Sequence, residues 1–245
     1  MIFKTMTINS KISWIRVFLF YAIAFSISGL FNSGYLTPLY QKLMDGLIIK
    51  NWSFLPAGIG TLVAALFAFK YDKNLNHTIT LFGNSNVKNI VISLVPILVF
   101  TTMGINNDIQ INEHSYGLAF SFIALIYAIT EEIFWRSYLL DILRFANKII
   151  YSLIIGTLWW AWHFRFDTSF DFTWFLLICI ASTFLLCQFA NETKSYLASA
   201  GLHSLIILTT SNGEMTKHKT IGLGISIVLW LLIGKFWKKE KIERV

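Results

Sequence analysis

The chain has 245 residues, of which 56% are hydrophobic, 16% aromatic and only 13% charged, with a formal net charge of +7 and a mean hydropathy of +0.62. Soluble chains carry roughly 25% charged residues, so a soluble globular domain is excluded and one integral membrane domain is expected. The basic residues are dispersed between apolar spans with no nucleic-acid motif among them, which points to cytoplasmic loop lysines and to no nucleic-acid partner.

Runs of ~20 apolar residues are long enough to cross a bilayer. They place helices near 12–31, 54–71, 87–105, 115–140, 148–164, 172–190, 196–211 and 220–237. The first run follows Lys4, Lys11 and Arg16 in the manner of a signal sequence, but continues to about Phe31 without a small-residue cleavage site. It reads as a retained helix. Residues 33–50 are too mixed to span and predict a surface helix, and Pro96 falls inside the third span. The expected fold is therefore an all-α integral membrane protein, with about eight (seven to eight) transmembrane helices in one bundle around a buried polar site. Lysine and arginine gather in the N-terminal segment, the 70–88 and 136–148 connectors and the tail, whereas the 105–114 connector has none. Eight spans with both termini cytoplasmic satisfy most of that asymmetry. Lys42, Lys50, Lys217 and Lys219 then fall outside. Cys179 and Cys187 lie eight apart on one predicted helix. That is about 12 Å along its axis, too far for a disulfide, and they read as small apolar residues.

Membrane physics does not explain three charges in Thr130-Glu131-Glu132-Ile133-Phe134-Trp135-Arg136, which follow an uncharged run from Tyr116 to Ile129. Each charge near a helix centre costs about 2.5–3.5 kcal/mol on insertion scales. Glu132 and Arg136, four apart, share a helix face and can neutralise each other. Glu131 points about 100° away, without that partner, and is free for chemistry. Two histidines also lie in apolar runs: His163 at the end of Thr157–Phe164, and His203 after the small residues Ala198-Ser199-Ala200-Gly201. Small residues let a helix approach its neighbour closely, which would bring His203 to the bundle centre. Trp159 shares a face with His163 and can shield it from lipid, while Trp160 and Trp162 read as an interfacial aromatic belt. His77, His114 and His218 fall in connectors.

Glu-Glu-x-x-x-Arg, an aromatic-x-x-x-His on the next helix and a further His two helices on resemble the CPBP/Abi family of CAAX-protease and bacteriocin-processing intramembrane proteases. The resemblance covers roughly residues 115–210. Glu131, Glu132 and Arg136 fill its first motif; Trp159 stands where Phe is usual, ahead of His163. His203 opens a third motif that normally continues His-x-x-x-Asn or Asp, but the fourth residue on is Ile207. Thr210 and Asn212 are weak substitutes. The resemblance implies a catalytic helical core at 111–245, with N-terminal transmembrane helices at 1–110, all one membrane domain.

It further implies an intramembrane endopeptidase acting on a membrane-associated peptide or protein, as in bacteriocin or signalling-peptide processing or self-immunity. The side chains support the same chemistry. Glu131 can take a proton from water, His163 can hold that water or protonate the leaving amine, and His203 can donate to the oxyanion. Glu132 and Arg136 would fix the helix end. The same Glu131, His163 and His203 could instead hold Zn2+ with an open fourth position, so either no cofactor or zinc is open. The alternative, favoured by Ile207, is a non-catalytic membrane immunity or scaffold protein keeping the motif for structure. A proton-coupled transporter lacks the expected repeat symmetry. Membrane lipid and a peptide or membrane-protein substrate are the expected partners. The expected location is the plasma membrane, and the Ile, Lys and Asn usage suggests an AT-rich bacterium. One tension is geometric. Counted from their shared cytoplasmic side, Glu131 and His163 differ in depth by more than about 10 Å unless the Glu-bearing helix bends or overruns, leaving 138–147 as an amphipathic interfacial segment.

Overall fold

The computed structural model describes residues 13–73, 75–210 and 215–237. Helix accounts for all regular structure among them except one isolated β-bridge, Thr80 to Ser195. In chain order the α-helices are α1 (Trp14–Asn32), α2 (Thr37–Leu43), α3 (Gly58–Tyr71), α4 (Asn86–Met103), α5 (Glu113–Glu132), α6 (Leu140–Leu143), α7 (Lys148–Trp162), α8 (Leu176–Thr193), α9 (Tyr196–Thr210) and α10 (Lys217–Phe236). The mixed 33–50 segment forms the short α2 and a 3-10 turn at Ile48–Asn51. Lys4, Lys11, Asn212 and the tail from residue 238 lie outside the described residues.

Helix starts follow local chemistry. Asn112 caps α5 by accepting from the backbone N–H of His114 and Ser115, and Asn147 caps α7 through Ile149 and Ile150. Each side-chain oxygen takes donors that the first helical turn leaves without partners. Glu113, at the first position of α5, adds a charge that favours the positive helix end.

All eight expected helices are present, though they differ in whether their length alone suffices to span. Among the described residues, five stretches are long and apolar enough to cross a membrane: Trp14–Asn32, Asn86–Met103, Glu113–Leu143, Asp171–Thr193 and Lys217–Phe236. Leu55–Tyr71 and Tyr196–Thr210 are apolar but shorter, and α7 has only 15 residues. Fifteen residues rise about 22 Å, against a hydrocarbon core of ~30 Å. Such helices need protein rather than lipid at their ends. Helix α9 meets that condition, burying 11 of its 15 residues against α4, α5 and α8. Gly201 permits the close approach: a Cβ there would stand 2.6 Å from the Ser93 Cα of α4.

The depth tension resolves by overrun. Helix α5 continues through a π-helical stretch, Ile133–Leu139, into α6, making one rod of 31 residues from Glu113 to Leu143. Glu131 then lies about 18 Å from the Leu143 end and His163 about 22 Å from the start of α7, by helical rise. The expected amphipathic segment is not formed over 138–143, because all six of those side chains are buried. Their cover is the α3–α4 connector. Thr78 donates its N–H (2.8 Å) and hydroxyl (2.5 Å) to Asp141, and the Ser137 hydroxyl donates to Ile79 O at 2.7 Å. Thr80 then pairs with the α8–α9 turn: its N–H donates to Lys194 O at 2.9 Å, and Tyr196 N donates to its carbonyl at 3.0 Å. At the connector's start, Asp72 receives Arg16 Nη1 at 2.7 Å.

Candidate active site

Helices α5, α7 and α9 bring the sequence-predicted site residues towards one another. Glu131 and Glu132 end α5, Arg136 follows in the π-helical stretch, His163 caps the C-terminus of α7, and His203 lies within α9. Glu131, Glu132, Arg136 and His203 are 1%, 0%, 0% and 3% exposed, and His163 is half-buried. A charged group with no water must be paired, and the pairing differs between the two acids.

Glu132 is the most heavily engaged. Its Oε1 lies 3.0 Å from Arg136 Nη1, a close ion pair whose alignment falls short of a hydrogen bond, and 3.0 Å from His203 Nδ1. Its Oε2 accepts the Ser199 hydroxyl at 2.6 Å. The i,i+4 pairing expected for Glu132 and Arg136 is therefore present. Arg136 also approaches Thr183 Oγ1 (3.4 Å) and stands 4.6 Å over the Trp159 ring. Since a carboxylate only accepts, His203 Nδ1 carries the proton here and Nε2 faces away from Glu132.

Among the described residues no cation pairs with Glu131, but it is not bare. Its Oε2 accepts the Trp159 indole N–H at 2.8 Å, and Tyr127 stands against the same carboxylate. His163 Nδ1 lies 2.7 Å from the backbone carbonyl of Trp159. A carbonyl also only accepts, so His163 Nδ1 holds a proton and Nε2 is left to accept from water or to pick up a second proton. Both Glu131 and His203 are near enough to His163 to act on it electrostatically. Trp159 sits between the imidazoles, with ring centroids 5.4 Å from His163 and 5.1 Å from His203.

Trp162 departs from the expected interfacial belt. It is fully buried and packs on Trp135 and His163 at 6.1 and 5.1 Å. Trp160 is half-buried and donates to Asp171 O. The Trp162 ring turns inward onto Trp135 and His163, although the chain just past α7, at 165–170, is exposed. Cys179 and Cys187 are buried and unbridged. Ile207 is buried in the apolar core, and Thr210 is exposed with its hydroxyl turned back to Ile206 O. Neither supplies a polar group beside His203.

Three further contributors were not singled out from the sequence: Tyr127, Ser199 and Thr183. The first two had a signal, because Tyr127 precedes Glu131 by four residues and Ser199 precedes His203 by four, on shared helix faces. Thr183 reaches Arg136 from α8 and had none. As to zinc, both imidazoles anchor Nδ1 as metal-bound histidines do. Even so, no three His, Cys, Asp or Glu side chains among the described residues group closely enough to hold a metal ion. The set Glu131, His163 and His203 does not fit one as it stands.

With five helical stretches long and apolar enough to cross a membrane, the chain is a multi-pass membrane protein, and it buries two acids and the His203 imidazole among its helices. Residues 113–209, about two-fifths of the chain, match the family model for type II CAAX prenyl endopeptidase Rce1-like. This stretch is similar to the CAAX-protease family, as its motifs suggested, and the match supports a CAAX-protease-type intramembrane endopeptidase. No curated protein matches the chain.

Proposed function

We propose that this protein is an intramembrane endopeptidase that hydrolyses a peptide bond in a membrane-associated peptide or protein, with Glu131 as general base. The observation that carries the reading is the pairing of Glu131. It is buried, no cation among the described residues pairs with it, and neutral donors hold it, the Trp159 indole on Oε2 and Tyr127 beside it. This leaves the carboxylate uncompensated and able to take a water proton, unlike Glu132, whose oxygens are committed to Arg136, His203 and Ser199.

In the proposed reaction Glu131 takes a proton as the water oxygen bonds to the scissile carbonyl carbon. The carbonyl π pair moves to oxygen. His203, its ring oriented by Glu132 through Nδ1 and carrying a proton on Nε2 as well, donates from Nε2 to that oxyanion, a contribution of several kcal/mol in a dry site. His163 Nε2 orients the water and relays the Glu131 proton to the leaving nitrogen. The C–N bond then breaks to give a carboxylic acid and an amine. Residues 111–245 form the catalytic core and 1–110 the N-terminal helices of one membrane domain. The protein is placed in a bacterial plasma membrane with both termini cytoplasmic. Its substrates are a bacteriocin leader, a signalling peptide or a membrane-protein remnant.

Ile207 favours the second reading, a non-catalytic immunity or scaffold protein. Cleavage profiling of membrane peptides with detergent-purified wild type and Glu131→Ala decides between them. Loss of cleavage in the folded variant supports the peptidase; a retained biological effect at normal expression supports the scaffold. Cleavage that survives a zinc chelator favours glutamate chemistry, and loss restored by added zinc favours a metal.

A further inference from the structure

We infer that Trp159 is a positioning residue whose indole N–H selects which oxygen of Glu131 faces the water; this rests on the peptidase reading above. Trp159 lies on α7, 4% exposed, and donates to Glu131 Oε2 at 2.8 Å across 28 residues of chain. The other faces of the same indole are occupied as well. Arg136 stands 4.6 Å from the ring centroid on one side, and His203 meets the ring edge-on at 5.1 Å with an interplanar angle of 89°. One side chain thus touches the base, the guanidinium that steadies Glu132, and both imidazoles.

Two other indoles set the comparison. Trp135 and Trp162 are fully buried, and their Nε1 atoms have no hydrogen-bond partner among the described residues. Burial alone therefore does not direct an indole N–H to an acceptor in this bundle. The Trp159 N–H instead meets a carboxylate with no cation of its own, where a donor counts most. The carboxylate torsion of a glutamate is broad and roughly two-fold. The indole N–H fixed on Oε2 breaks that symmetry and turns Oε1 to the water, while Tyr127 also bonds to this carboxylate. A phenyl ring, the usual group at this point of the resembling motif, can fill the same space but cannot make that bond.

The test uses the full chain in lipid nanodiscs. Trp159→Phe and a benzothienylalanine at 159 both delete the N–H, and the second keeps the bicyclic volume should the first weaken the fold. Both are expected to lower kcat by roughly 10–100-fold, the scale of a small misplacement of a reacting group, with KM unchanged within about twofold. Independently of turnover, the indole 1H–15N resonance lost in Trp159→Phe should be the one that moves in Glu131→Gln, while the other tryptophan resonances stay. Wild-type kcat in both N–H-deleted proteins, with Glu131→Gln inactive, overturns the inference alone. So does a Trp159 resonance indifferent to Glu131→Gln. Full cleavage by Glu131→Gln overturns Glu131 as the general base, and the inference with it, whereas no cleavage by wild type overturns the peptidase reading.

Discussion

Replacing Arg136 with methionine tests the electrostatic logic of the site most directly. The guanidinium is fully buried and 3.0 Å from a fully buried Glu132 carboxylate. Removing one partner of a buried pair strands the other charge, at a cost of about 3–5 kcal/mol. His203 and Ser199 still bond to Glu132, which argues for the lower end, near 3 kcal/mol. Lost stacking on Trp159 adds up to about 2 kcal/mol for a desolvated cation–π contact, so ~3–5 kcal/mol stands. The double variant Glu132→Leu with Arg136→Met removes both charges. It leaves the His203 N–H and the Ser199 hydroxyl without their acceptor. Ser199 can fall back on Leu186 O, which it already approaches at 3.4 Å. One orphaned buried donor costs about 1–3 kcal/mol, so the double variant should be more stable than Arg136→Met alone. Reversible unfolding by steric trapping in bicelles measures both. A loss under about 1 kcal/mol in Arg136→Met, or a double variant less stable than the single one, would refute the reasoning.

Other variants probe the surroundings. Gly201→Val places a branched side chain where a Cβ alone would meet the Ser93 Cα at 2.6 Å; overpacking should cost about 1–3 kcal/mol or more, read from thermal denaturation in detergent. Asp141→Ala removes the acceptor of two Thr78 donors, so limited proteolysis should cut the 72–85 connector faster while wild type resists. His163→Ala should lower kcat by about 10²–10⁴-fold, the range for a lost acid–base group, measured with a fluorogenic membrane peptide. Ser199→Ala, which keeps the His203–Glu132 contact, should cost less than tenfold by the same assay, because a neutral hydrogen bond is worth about 1 kcal/mol.

Much of this was legible in the chain because hydrophobic length is a direct report of helix position in a membrane protein. The Glu132–Arg136 pair followed from a four-residue spacing, and the burial of His203 from the small residues before it. The overrun of α5 was harder to see in detail. Arg136 and Asp141 look like a chain leaving the membrane, and only their long-range partners, Thr183 and Thr78, make them interior residues. Trp159 was recognised as a shield for His163, but its bond to Glu131 joins two helices whose relative rotation no local pattern encodes. The same holds for His203, which pairs with Glu132 rather than standing beside Glu131 alone. Trp162 was misplaced for a related reason: an aromatic at a helix end looks alike whether that end meets lipid headgroups or protein.

The π-helical stretch Ile133–Leu139 has a consequence for how this chain can change. A π turn closes its hydrogen bonds one residue later than an α turn, so it works as a phase offset between the two halves of one rod. The half before it is set by the contacts of Glu131 and Glu132 with α7 and α9, and the half after it by the grip of Asp141 on the connector. Deleting any one residue there would regularise the rod and turn one half by about 100° relative to the other. Substitutions can accumulate along that stretch, but its length is bound to both ends at once.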